Sequence, residues 1–128
     1  MNPFGFSFDV PPGVVLNSCH YNRKSYWKVC AKTNMIQHPC WVLDYSLNGG
    51  LLECSTPYVN PGVRGPNTAH LYPPGQPYYQ RILHSGYESS AWILFSGEIP
   101  FLRQLLENSG HFLRIRDPEH ILYHLLIE

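Results

Sequence analysis

Ala69-His70-Leu71-Tyr72-Pro73-Pro74-Gly75-Gln76-Pro77-Tyr78-Tyr79 carries a short strand pattern straight into a proline–glycine corner. Proline removes a ladder donor, so a strand ending at Pro73-Pro74-Gly75 must be short or lie at an edge or corner. Proline and glycine stay dense all the way from Pro57 to Pro77, which extends the same constraint upstream. Thr68 to Tyr72, Tyr78 to Leu83 and Ser90 to Phe95 therefore read as three short strands with turns between them. Punctuation this regular predicts a sandwich or a closed barrel, not βαβ units.

Upstream of the corner, Val14-Val15-Leu16 opens a first β-like run and Tyr26-Trp27-Lys28-Val29-Cys30 a second. From Cys40 the chain alternates well, with Trp41, Leu43, Tyr45 and Leu47 on one face and Asp44 and Ser46 on the other. Asn48-Gly49 supplies a tight primed turn and Leu51-Leu52-Glu53-Cys54 runs back, which predicts a β-hairpin. Residues 1–12 mix aromatics with proline and glycine and read as an extended arm, leaving 13–96 for the β region.

The pattern changes after Ser96-Gly97, opening a helical region over 98–128. Pro100 suits a first helical turn, and Phe101, Leu102, Leu105 and Leu106 form one apolar stripe that Gly110 terminates. After a short run around Phe112-Leu113, Asp117 offers an N-cap oxygen with Pro118 next at the first helical position. Ile121, Leu122, Leu125 and Leu126 continue on one face to Glu128 without a cap, as expected of a chain that ends inside a longer protein.

Composition narrows the function classes. The 128 residues suit one domain, and 44% hydrophobic against 14% charged residues is enough for a packed core. Nine Lys plus Arg balance nine Asp plus Glu, which leaves no electrostatic footprint for nucleic acid. No apolar run nears the roughly 20 residues that span a bilayer, and Met1 to Phe6 lacks signal-peptide features. A cytoplasmic location without membrane partners is expected. Cys19, Cys30, Cys40 and Cys54 contain no close pair and read as reduced thiols, mostly buried.

The corner resembles the second half of a cupin-type barrel. In order, the alternating strand from Trp41 to Gly50, Leu71-Tyr72-Pro73-Pro74-Gly75, Ala91-Trp92-Ile93-Leu94-Phe95 and the leucine-rich helices resemble the amino-terminal domain of AraC-type transcription regulators. The resemblance spans about Val14 to Glu128. It implies a mainly β fold, a double-stranded β-helix (cupin or jelly-roll barrel) with two C-terminal α-helices packed outside. It also implies a small effector such as a sugar in the barrel and a homodimer formed through the helices. DNA is then bound only by a separate helix-turn-helix module that this chain does not contain. No cofactor is implied, and the domain is read as a sensor, not an enzyme.

The resemblance also nominates ligand-binding residues. Trp92 matches a tryptophan on which the sugar ring packs in sugar-binding members, and a flat indole suits the C–H face of a pyranose. Ser90, two residues earlier on the same face, stands for a histidine, Gln80 for a tyrosine and Asn34 for an arginine. These replacements keep hydrogen-bonding capacity but change its identity, which favours a polyol or another sugar over arabinose. Trp27 and Tyr45 join the candidates as aromatics, although alternation alone leaves open which face of a strand points inward.

The competing class is a metal-dependent cupin enzyme, an isomerase or a dioxygenase. Metal cupins share a His-x-His pair with a glutamate and a later histidine. Cys40 to Cys54 contains no histidine, and Tyr78 stands where the late one would fall. His38, His70 and His84 read as surface or satisfied core histidines, and His120 and His124 as an exposed helix face beside Tyr123 and Ile127.

Overall fold

The computed structural model describes residues 14–29, 34–48, 52–57, 59–107 and 112–127. Nine strands and two short helices follow in the order β1 (Val15–Trp27), β2 (Asn34–Ile36), β3 (Trp41–Asn48), β4 (Leu52–Thr56), β5 (Val59–Arg64), β6 (Thr68–Tyr72), β7 (Tyr78–Ile82), β8 (Gly86–Ser96), α1 (Pro100–Glu107), β9 (Leu113–Arg116) and α2 (Ile121–Ile127). All pairings are antiparallel, in a five-stranded sheet β1-β8-β3-β6-β9 and a four-stranded sheet β2-β7-β4-β5. The sheets face each other but do not close, so the expected barrel is replaced by two open layers.

Several local expectations change with this topology. β3 and β4 do not pair: β3 lies between β8 and β6, while β4 lies between β7 and β5. The expected hairpin is therefore absent, since β3 and β4 belong to different sheets, and residues 49–51 lie outside the described residues. Both edges of β3 are already occupied, so β4 has no ladder to join there. Val15-Leu16 and Tyr26-Trp27 belong to one long strand, β1, that pairs with β8 from end to end across two register shifts. β5 was hidden by Pro61 and Gly62, which its edge position tolerates. The helical region also contains a strand, β9, which pairs with β6. The arm at 1–12 and the stop at Gly110 lie outside the described residues.

The proline corner crosses from β6 in the larger sheet to β7 in the smaller one. Gly75 has φ +77°, and the Gln76 N–H donates to the Pro73 carbonyl at 3.2 Å, as expected of a type II turn with glycine third. Tyr72 and Tyr78, the residues flanking the crossing, stack with ring centroids 3.7 Å apart. They join Val42 and Phe112 in the core between the sheets.

A second core lies on the outer face of the five-stranded sheet. Trp41, Leu71 and Leu106 pack together with Leu102, and the Trp41 indole N–H donates to the Gly97 carbonyl at 2.8 Å. Gly97 has φ +128°, which a side chain would strain where the chain leaves β8 for α1. Tyr45, Ala69, Ala91 and Ile93 form the rest of this face, with Leu122 and Tyr123 of α2 against them. Tyr123 packs against this core while its ring also meets those of His120 and His124, with centroids 6.2 and 5.6 Å away. Among the described residues no helix is long and apolar enough to cross a membrane.

Asp117 anchors α2 through its side chain. Its Oδ1 accepts from the Leu122 N–H at 3.0 Å and its Oδ2 from the Tyr123 N–H at 2.9 Å. The helix begins at Ile121, after a turn through Pro118 and Glu119, so Asp117 caps from further back than its spacing predicted. The buried Tyr45 hydroxyl donates to the same Oδ2 at 2.7 Å. Burial by itself would raise the Asp117 pKa, but these donors hold it below the usual carboxylate range. Tyr45→Phe is expected to cost about 1.5–3 kcal/mol in urea unfolding, the worth of a hydrogen bond to a charged group. An unchanged midpoint would show that Tyr45 serves packing alone.

Candidate functional site

Alternation along β3 separates two faces, and topology makes the polar one internal. Trp41, Leu43 and Tyr45 meet the outer core, so Val42, Asp44 and Ser46 point between the sheets. The same parity on β8 directs Ser90 and Trp92 inward, where they pair across the ladder with Ser46 and Asp44. From the opposite sheet, β7 contributes Tyr78 and Gln80, while β5 contributes Arg64.

These side chains surround a cavity of about 330 Å³. Trp27, Val42, Asp44, Ser90 and Trp92 line it from the five-stranded sheet. Ile36, Arg64, Tyr78 and Gln80 line it from the four-stranded sheet, with His38 from the loop between β2 and β3. The proline corner holds that loop, because the Gly75 N–H donates to the His38 carbonyl at 2.8 Å and the Gln37 side chain donates to the Gly75 carbonyl at 2.8 Å.

Polar contacts knit the two sheets on one side of the cavity. The Arg64 side chain is only 3% exposed; its Nε donates to Ser46 Oγ at 3.0 Å, and its Nη1 lies 3.6 Å from Asp44 Oδ2. Gln80 donates to the same Asp44 oxygen at 3.2 Å. Burial works against the charge on Arg64, yet its pKa is raised, with the Asp44 carboxylate the foremost of the groups that favour the charged form. Burial likewise pushes up the Tyr78 hydroxyl and the neighbouring Cys54 thiol, which keeps both neutral. Cys19, Cys40 and Cys54 are free thiols, and the last two are buried.

Trp27, Gln80, Ser90 and Trp92 from the sequence-based set thus come together around one cavity. Tyr45 does not: it is 1% exposed on the opposite face of β3, bound to Asp117. The Asn34 backbone pairs with Gln80, and its side chain lies outside the described residues. Asp44, Arg64 and His38 line the same cavity and were not among those candidates. Asp44 stood on the polar side of a visible alternation, whereas Arg64 was concealed in the proline-rich stretch.

His70 illustrates a satisfied core histidine. It is fully buried, and its Nε2 accepts from Arg114 Nε at 3.2 Å. Its Nδ1 then carries the proton and donates to the Tyr72 hydroxyl at 3.2 Å. Among the described residues no three His, Cys, Asp or Glu side chains converge as a metal-binding group.

In comparisons with known proteins, no protein-family model and no curated protein matches this chain. A solved structure does match, that of ToxT from Vibrio cholerae, with a TM-score of 0.54 at 10% sequence identity. The match covers 89% of this chain and 47% of ToxT, so this chain spans about half the length of that protein. At this identity the likeness is one of fold.

Burial, then the charges of Arg64 and Arg114, lowers the His70 pKa from 6.5 to about 2. The unfolded chain takes up the proton near pH 6.5 and the folded chain does not. Stability from this group is therefore complete above pH 6.5 and lost progressively below it. Between pH 7 and pH 5 the unfolding free energy should fall by on the order of 2 kcal/mol, and His70→Gln should flatten that slope. Urea unfolding at a series of pH values checks this. An equally steep slope in the variant would rule out His70 as the source.

Proposed function

We propose that this chain is the effector-sensing and dimerisation domain of an AraC-type transcription regulator, holding a small polar ligand, with sugars the leading candidates, between its two sheets. The observation that carries the reading is the cavity itself. It sets two tryptophan faces, Trp27 and Trp92, against hydrogen-bonding groups from Asp44, Arg64, Gln80 and Ser90. Its volume of about 330 Å³ sits near the low end of small-molecule pockets, the size range of a monosaccharide. The likeness in fold to ToxT, an AraC-family regulator, supports the same reading. DNA contact in this reading belongs to a separate helix-turn-helix module of the whole regulator, and the domain itself performs no catalysis.

Trp92 supplies the surface on which a sugar ring would lie. It is half-buried, with its ring centroid 5.4 Å from that of His20, its ladder partner on β1. Ser90 lies two residues away on the same face, and Gln80 faces both from the other sheet. A thermal-shift screen of monosaccharides and polyols should find a ligand that raises the melting temperature and alters tryptophan fluorescence. Trp92→Ala should weaken its binding by about ten- to a hundredfold. Unchanged affinity would remove Trp92 from the site.

Pairing is assigned to the helices. Phe101 and Leu105 on α1 are 67% and 40% exposed, and Ile121 and Leu125 on α2 are 61% and 60% exposed. Each apolar stripe is wider than its contact with the core, because among the described side chains Leu102, Leu106, Leu122 and Tyr123 are the ones that turn inward. Sedimentation should find a dimer that the double variant Phe101→Glu, Leu125→Glu converts to monomer. A monomeric parent chain at high concentration would contradict this assignment.

A further inference from the structure

A buried guanidinium with an unused nitrogen needs a partner. Arg64 Nη1 is inaccessible to solvent and has no hydrogen-bond partner, since Asp44 at 3.6 Å is within ion-pair range only. Both residues line the cavity, so this guanidinium is the group toward which an acceptor oxygen of an occupant is drawn. The chemistry of that acceptor follows from charge balance. Arg64 and Asp44 cancel, while the neighbouring Cys54 and Tyr78 are held neutral. A carboxylate or phosphate brought to Arg64 would leave the cavity with excess negative charge facing Asp44. Uncompensated charge in such a site is costly. A hydroxyl accepts and donates at once, so it can accept a hydrogen bond from the Arg64 N–H while its own O–H donates one to Asp44.

We infer that Asp44 and Arg64 form a charge filter, which admits a net-neutral hydroxylated ligand and rejects its acidic or phosphorylated counterpart. The inference rests on the sensor reading of the cavity and adds to it two specificity-determining residues. Arg64 anchors the oxygen. Asp44 is the discriminating member, because it competes with any ligand anion for the same guanidinium. Gln80, donating to Asp44 at 3.2 Å, fixes the carboxylate in that position from the opposite sheet.

Asp44→Asn keeps the shape and removes the charge, which leaves Arg64 uncompensated. The parent chain and this variant are titrated with galactose against galacturonate, glucose against glucuronate, and with formate and inorganic phosphate as minimal anions. Thermal shift and tryptophan fluorescence provide the readouts. The parent should prefer a neutral sugar over its acid by at least about tenfold and show no saturable response to formate or phosphate. Asp44→Asn should reverse the preference and acquire saturable formate binding. Should that variant not fold, Gln80→Lys places a cation beside Asp44 at a half-buried position and should acquire the same anion response. A parent that binds uronate or phosphate as tightly as the neutral sugar overturns the filter. So does a folded Asp44→Asn with no gain in anion binding. If no sugar binds either protein while formate binds only the variant, the sugar reading fails and the filter stands.

Discussion

Strand β3 is buried on both faces, and consecutive side chains on it belong to different layers of the molecule. Tyr45 reaches outward to Asp117, the residue that caps α2. Asp44 and Ser46, on either side of it, reach inward to Arg64 on the opposite sheet. A strand in this position has no solvent face on which to leave its polar groups. Each must find a partner within the protein, and those partners fix the spacing of all three layers.

The two cores satisfy that requirement differently. Outside, aromatic and aliphatic groups fill the space between sheet and helices, and Trp41 stacks on Phe95 with the ring planes 4° apart. Between the sheets, Tyr72, Tyr78 and Phe112 pack one region while polar residues hold another. The polar region stays open enough to form a cavity because ion-paired and hydrogen-bonded side chains cannot collapse like an apolar cluster. The proline corner contributes twice. It passes the chain from one sheet to the other, and it ties down the loop that carries His38 to the cavity.

Local signals in the sequence were read well where chemistry constrained the backbone directly. The strand from Thr68 to Tyr72, the corner after it, the start of α1 at Pro100 and the cap at Asp117 all left such marks. The hairpin at Asn48-Gly49 misled because a tight turn specifies a reversal of direction and not the strand that will receive it. Strands β5 and β9 were missed for a related reason. Each is an edge strand, one broken by proline and the other only four residues long, so neither needed a strong pattern of its own.

The candidate site divides along the same line. Gln80, Ser90 and Trp92 were nominated by the resemblance and Trp27 as an aromatic, and they share one cavity. Tyr45 was nominated on the same ground as Trp27 and lies on the other side of its strand. By itself the sequence determined which residues share a face of β3, because side-chain alternation is a property of an extended backbone. Only the tertiary structure decided that the polar face was the inner one and that Arg64 from a distant strand would meet it. That choice depends on what each face packs against, helices on one side and a second sheet on the other. Such contacts arise between segments far apart in the chain and leave no local periodicity to read.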